Sequence, residues 1–318
     1  MIALLAPGQG SQTPGMLAEW LELPGAADQI KTWSEIAGLD LAGLGTTATA
    51  DEITDTAVTQ PLVVAATLLA NAELVQRGLL SGGQERSDSG IGSSKKTVVA
   101  GHSVGEIAAY AIAGVISADD AVKLAAVRGA EMAKACAVEP TGMSAILGGD
   151  EADVLEALAR LDLVPANRNA AGQIVAAGAV AALEKLAEDP PAKARVRQLA
   201  TAGAFHTHYM ASALDGYAAA AAEVATSEPT TTLLSNADGQ PVASAADAME
   251  KLVAQLTRPV RWDLCTETMR QLFENTEGCA IVEFPPAGTL AGIAKRELRG
   301  VPTRAVKTPA DLDGLTEL

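Results

Sequence analysis

The chain has 318 residues, 48% of them apolar and 19% charged, which is enough for a large core and too apolar for a wholly disordered chain. Only 3% are aromatic, and 23 basic against 39 acidic residues leave a net charge of −16. Few stacking rings and a field that repels polyanions argue against a nucleic-acid role.

The apolar start, residues 2–6, is followed by Pro7-Gly8 and has no basic residue before Lys31. It reads as a strand and not as a signal peptide. Pro7-Gly8-Gln9-Gly10-Ser11-Gln12 comes next. Its two glycines free the backbone to point N–H groups at an oxygen, or they make an ordinary strand-to-helix turn. Thr13 breaks the G-x-G-x-x-G pattern and the Walker lysine is missing, so a nucleotide loop has no support.

Residues 60–77 read as a helix, and 81–96, rich in Gly and Ser, as a surface loop. Residues 97–100 read as a strand running into Gly101-His102-Ser103-Val104-Gly105-Glu106 and a helical stretch. Strand, G-x-S-x-G, helix is the pattern that lifts a serine hydroxyl out of a sheet. The bland alternative is a turn serine. The apolar run 107–116 is shorter than the ~20 residues of a membrane span.

Ser117-Ala118-Asp119-Asp120 caps a helix expected over 118–135. Arg128 lies in an apolar stretch of it, and a buried guanidinium needs an anion. Either a protein carboxylate or a substrate carboxylate fits. Then come a strand (142–147), a helix (151–161), two strands (164–169, 173–177), a helix (180–188) and a strand (195–199). That βαββαβ order indicates a ferredoxin-like subdomain inserted at 137–203. A further strand is expected at 280–284, and the alternation throughout indicates an α/β class.

A serine needs a base, and the chain has three histidines. His102 adjoins Ser103 at a strand end, where neighbouring side chains point to opposite faces. His206 or His208 is left, unless both are loop histidines. No acidic residue presents itself as a third triad member. Cys136, Cys265 and Cys279 are scattered without a C-x-x-C pair, which argues against disulfides or a zinc site and suits a reducing cytoplasm.

P-G-Q-G-S-Q (7–12), G-H-S-V-G-E (101–106), R-G (128–129), N-R-N-A-A-G-Q (167–173), A-F-H (204–206) and Q-L-T-R-P-V-R-W (255–262) span nearly the whole chain. Together they resemble the malonyl-CoA:acyl-carrier-protein transacylases, most of all the actinobacterial forms. The resemblance implies an α/β-hydrolase-like catalytic subdomain, 1–136 and 204–318, around the small one at 137–203. It implies Ser103 as nucleophile and His206 as base, with the backbone N–H groups of Gln9 and Val104 as oxyanion hole. Arg128 then pairs with the malonyl carboxylate, Asn169 and Gln255 edge the site, and Phe205 belongs to the malonyl-selecting A-F-H form.

The resemblance further implies malonyl-CoA and acyl carrier protein as partners in fatty-acid synthesis, with no cofactor, since coenzyme A thioester is itself a substrate. A cytoplasmic monomer that binds no membrane and no metal is expected. An esterase or thioesterase on the same elbow would want a carboxylate on the histidine. A catalytically silent interaction protein would keep the fold without acylating Ser103. An acidic carrier needs a local basic patch on this acidic chain. Lys193/Arg195/Arg197, Arg258/Arg261 and Lys295/Arg296/Arg299 are the clusters available, the last favoured because its i,i+3 and i,i+4 spacings share much of one helical face.

Overall fold

The computed structural model describes residues 1–79 and 96–317. The expected surface loop at 81–96 lies outside the described residues except for Lys96. The chain runs β1 (Ile2–Ala6), α1 (Ala26–Ala37), α2 (Leu41–Thr46), α3 (Thr56–Gln76), β2 (Thr97–Gly101), α4 (Gly105–Ile112) and α5 (Ala118–Cys136). It continues through β3 (Thr141–Gly148), α6 (Glu151–Arg160), β4 (Val164–Ala170), β5 (Gln173–Ala179), α7 (Val180–Glu188) and β6 (Ala194–Gln198). Then come α8 (Leu214–Ala222), β7 (Thr232–Leu234), α9 (Ala245–Ala254), β8 (Val260–Arg261), α10 (Trp262–Phe273), β9 (Ala280–Glu283), α11 (Thr289–Glu297) and β10 (Thr303–Ala305).

Five strands pair in the order β10-β9-β1-β2-β7, and every neighbouring pair is parallel. Their residues read as continuous apolar runs because both faces are covered. Leu4, Val99 and Val282 face one buried cluster; Ala3, Leu5, Val98 and Ile281 face the other. The second sheet, β6-β3-β5-β4-β8, is antiparallel apart from the β4–β8 pair. Its first four strands, with α6 and α7, follow the expected βαββαβ order. Its fifth strand, Val260–Arg261, comes from far beyond residue 203 and pairs with Asn167 and Arg168.

Helix α3 starts earlier than the periodicity indicated, because Asp55 caps it by accepting the Ala57 N–H at 2.8 Å. Among the described residues α3 alone is long and apolar enough to cross a membrane. It is instead a core helix, apolar nearly all round, packed on α4 and α5. Helix α5 begins at its expected cap, with Ser117 Oγ accepting the Asp120 N–H at 3.0 Å. One basic cluster is corrected. Helix α11 stops at Glu297, and Arg299 lies past its end, where Nε donates to the Arg296 carbonyl. Only Lys295 and Arg296 therefore sit on the helix.

Gly129 lets α5 touch the start of α3. A Cβ there would lie 2.7 Å from the Thr56 carbonyl oxygen. Gly292, inside α11, has nothing within 4 Å of the same position. Gly129→Ala is expected to cost about 1–3 kcal/mol in urea unfolding, through forced separation of two packed helices. Gly292→Ala should be neutral or stabilising by up to ~1 kcal/mol, through helix propensity alone.

Candidate active site

Strand β2 ends at Gly101 and α4 begins at Gly105, so the chain must reverse direction within three residues. Ser103 takes up that turn with φ 55°, a left-handed backbone that costs a non-glycine residue energy. The turn is tight enough that a Cβ on Gly101 would lie 2.1 Å from the Gly105 carbonyl carbon. A Cβ on Gly105 would lie 2.3 Å from the Ala6 oxygen at the end of β1. Asn236, which follows β7, fastens the elbow from both sides. Its Oδ1 accepts the Ser103 N–H at 2.8 Å, and its Nδ2 donates to the Gly101 oxygen at 2.7 Å.

His206 also has a left-handed backbone, φ 61°. Its Nε2 lies 2.7 Å from Ser103 Oγ, and its Nδ1 lies 2.8 Å from the Gln255 backbone oxygen. A carbonyl only accepts, so Nδ1 carries the proton and the Nε2 lone pair faces the hydroxyl. Burial first, and the Arg128 charge second, push the His206 pKa from 6.5 down to about 3. A neutral imidazole against a hydroxyl can take its proton during nucleophilic attack. The position a triad would give to a carboxylate is held here by the Gln255 carbonyl.

The other two histidines sit elsewhere. His102 Nε2 bonds Asn169 Oδ1 at 2.9 Å, and its ring lies 5.6 Å from that of Trp262. His208 is exposed and stacks on Tyr209. Phe205 is buried next to His206 in the main core cluster. The loop after β1 packs on the elbow, where a Cβ on Gly8 would lie 2.7 Å from the His102 oxygen. Among the described residues the backbone N–H groups of Gln9 and Val104 have no partner within the chain. The Val104 N–H also heads α4, where the helix dipole favours negative charge.

Arg128 is 1% exposed, and its charge has no carboxylate at ion-pair distance among the described residues. Two amide oxygens hold the fork instead. Nη1 donates to Gln60 Oε1 and Nη2 to Gln255 Oε1, each at 2.8 Å. The buried Nε finds no hydrogen-bond partner. Of the two partners open from the sequence, a directly paired protein carboxylate is absent among the described residues.

The network includes three residues to which the sequence reading assigned no role. Glu106 is fully buried; Oε1 accepts the Asn236 N–H and Oε2 accepts Gln255 Nε2, both at 2.5 Å. Burial raises its carboxyl to about 7, while the Asn236 N–H and the Arg128 charge pull the other way. An acid in the first turn of an apolar helix is a signal of the kind that singled out Arg128. Gln60, a polar residue in apolar α3, gives a weaker one. Asn236 gives none locally, because its role exists only once β7 lies beside β2.

A strained serine, a neutral histidine, two unpaired N–H groups and a buried guanidinium suit acyl transfer to and from a hydroxyl. The chain belongs to the acyl transferase family, matching the acyl transferase domain over residues 4–308. It is 78% identical over 303 residues to the malonyl CoA-acyl carrier protein transacylase of Mycolicibacterium smegmatis, covering 95% of this chain and 100% of that one. The crystal structure of MCAT from Mycobacterium tuberculosis superposes with a TM-score of 0.92 at 73% identity, over 99% of each chain. A malonyl-transacylase solved in complex with a type II PKS acyl-carrier protein superposes with a TM-score of 0.86 at 30% identity, over 99% of each chain.

The depressed pKa of His206 sets a sign for stability against pH. The unfolded histidine takes up its proton near 6.5, whereas the folded one resists until about 3. The native state therefore keeps its full His206 contribution above pH 6.5 and loses it progressively as pH falls towards 3. Urea unfolding of wild type and His206→Gln at stepped pH should show wild type losing stability relative to the variant across that window. A constant difference would mean that the ring titrates normally.

Proposed function

We propose that the protein transfers a malonyl group from coenzyme A to the phosphopantetheine thiol of an acyl carrier protein, through a malonyl ester of Ser103. The observation that carries this is the Ser103–His206 pair, 2.7 Å apart, joined through Gln255 to a buried Arg128. The names of the relatives support the substrates.

Ser103 Oγ attacks the thioester carbonyl carbon while His206 Nε2 takes the hydroxyl proton. The N–H groups of Gln9 and Val104 face the oxyanion. Collapse expels the coenzyme A sulfur, which receives the proton from His206. The carrier thiol then gives its proton to His206 and attacks the ester carbon; the bond from that carbon to Ser103 Oγ breaks, and Oγ takes the proton back from His206. Arg128 holds the malonyl carboxylate through both halves, with Phe205, Asn169 and Gln255 at the edge of the site. No cofactor is required, since both steps are exchanges at an acyl carbon. We read 1–136 and 204–318 as an α/β-hydrolase-like catalytic subdomain and 137–203 as a ferredoxin-like one. The β6-β3-β5-β4 strand order supports the second reading. A cytoplasmic monomer completes the proposal.

Brief incubation with malonyl-CoA should leave a malonyl adduct on Ser103 in the intact-protein mass spectrum, absent in Ser103→Ala. Free malonate without an adduct would make the protein a hydrolase; neither product would make it silent. A charge-assisted contact is worth roughly 1.5–3 kcal/mol, so Arg128→Ala should slow malonyl transfer at least tenfold and leave acetyl transfer unchanged or faster. Equal loss for both acyl groups would reduce Arg128 to a structural role.

Lys295 and Arg296 are exposed in the last turn of α11, and we assign the acidic carrier protein to that face. Reversing both charges should raise the carrier-protein KM and spare malonyl-CoA loading, with the defect shrinking as salt rises. An unchanged KM at low salt would move the search to the exposed Arg195 and Arg197 on β6.

A further inference from the structure

The transfer steps above leave the Glu106 carboxyl, buried in the same network, without a use. Glu106 is 0% exposed and lies on neither side of the Ser103–His206 contact. One of its oxygens accepts from the Gln255 side chain, whose other end meets Arg128.

A guanidinium only donates, and an ionised carboxylate only accepts. The Gln255 amide stands between them and has one end of each kind. Its Oε1 takes Arg128 Nη2 at 2.8 Å, and its Nε2 donates to Glu106 Oε2 at 2.5 Å. Longer contacts run from the same Nε2 to the Ser103 oxygen, 3.2 Å, and to Asn236 Oδ1, 3.3 Å. Turned over, the amide would set N–H against the guanidinium and oxygen against the carboxylate. The amide dipole as found has its oxygen towards the cation and its N–H towards the anion, so each contact strengthens the other. Both carboxylate oxygens already accept N–H groups, from Gln255 and from Asn236, which suits the ionised form.

We propose that Glu106 is a positioning residue for acyl-group selection: it fixes the Gln255 amide, and through it aims the remaining N–H groups of Arg128 at the acyl carboxylate. This rests on the pairing of Arg128 with malonyl proposed above. The same carboxylate accepts the Asn236 N–H, and Asn236 holds the elbow, so a purely structural role is the rival. The two differ in one readout. Damage to the elbow slows every acyl donor alike. A misdirected Gln255 amide handicaps the donor that uses Arg128 far more than one that does not.

Glu106→Gln keeps the shape and removes the charge. Its new amide can accept the Asn236 N–H with its oxygen, which preserves the elbow. Its NH2 then faces Gln255, whose amide turns and presents N–H to Arg128. The experiment measures initial rates of Ser103 acylation from malonyl-CoA and from acetyl-CoA by mass spectrometry. The proteins are wild type, Glu106→Gln, Arg128→Ala and the double variant, each with its thermal midpoint. Glu106→Gln should lower the malonyl-to-acetyl rate ratio at least tenfold. In the Arg128→Ala background it should change that ratio less than twofold.

A parallel fall of both rates, an unchanged ratio, or the same tenfold effect without Arg128 would overturn the proposal. An Arg128→Ala ratio equal to wild type would overturn the Arg128 pairing first, and this inference with it. Should Glu106→Gln fail to fold, Gln255→Leu removes the amide and leaves the backbone carbonyl on His206. It should lower the ratio in the same way, and a retained ratio would again overturn the proposal.

Discussion

His206 Nδ1 lies 2.8 Å from the Gln255 backbone oxygen, and that hydrogen bond decides which ring nitrogen meets the serine. A carbonyl cannot donate, so the tautomer follows, and the lone pair is directed at Ser103 Oγ. A carbonyl also carries no full charge. The imidazole is oriented without a buried anion to raise its basicity, in a pocket where burial and Arg128 both favour the neutral ring. A carboxylate in that position would attract the Arg128 guanidinium, which has no carboxylate at ion-pair distance among the described residues. Gln255 thus acts twice from one residue: its backbone orients the His206 imidazole and its side chain holds the Arg128 guanidinium.

The fold makes this arrangement possible at a local cost. The parallel sheet delivers three loops to one edge, after β1, β2 and β7, at the carboxyl ends of its strands. They carry Gln9, Ser103 and Asn236. Ser103 and His206 both hold left-handed backbones that neither residue type prefers, so each is kept there by its surroundings. For the serine the constraint is visible as glycine contacts too close for any Cβ and as an Asn236 side chain on both flanks. Helix α5 contributes differently, by approaching α3 so closely at Gly129 that Arg128 reaches Gln60.

Much of this was legible in the sequence where the signal was local. A β-branched run before G-x-S-x-G, a serine cap before two aspartates, and an arginine in an apolar helix all declare themselves within a few residues. The βαββαβ order was readable for the same reason. What escaped depends on distant chain segments meeting. Strand β8 contributes only Val260–Arg261, too short for a periodicity, and joins the second sheet by pairing with β4. Asn236 acts through the neighbourhood of β2 and β7. Arg299 looked like part of a helical face because spacing alone does not reveal where a helix stops. Helix α11 ends when Leu298 leaves the helical backbone at φ −114°, ψ 56°.

The most direct test of the central claim is the nitrogen NMR spectrum of the His206 imidazole, specifically labelled, between pH 8 and 5. An imidazole held by the Gln255 carbonyl in this buried site should stay neutral throughout, protonated at Nδ1 and bare at Nε2, with no titration near 6.5. A proton on Nε2 at neutral pH, or a midpoint near 6.5, would contradict a base oriented by the Gln255 carbonyl.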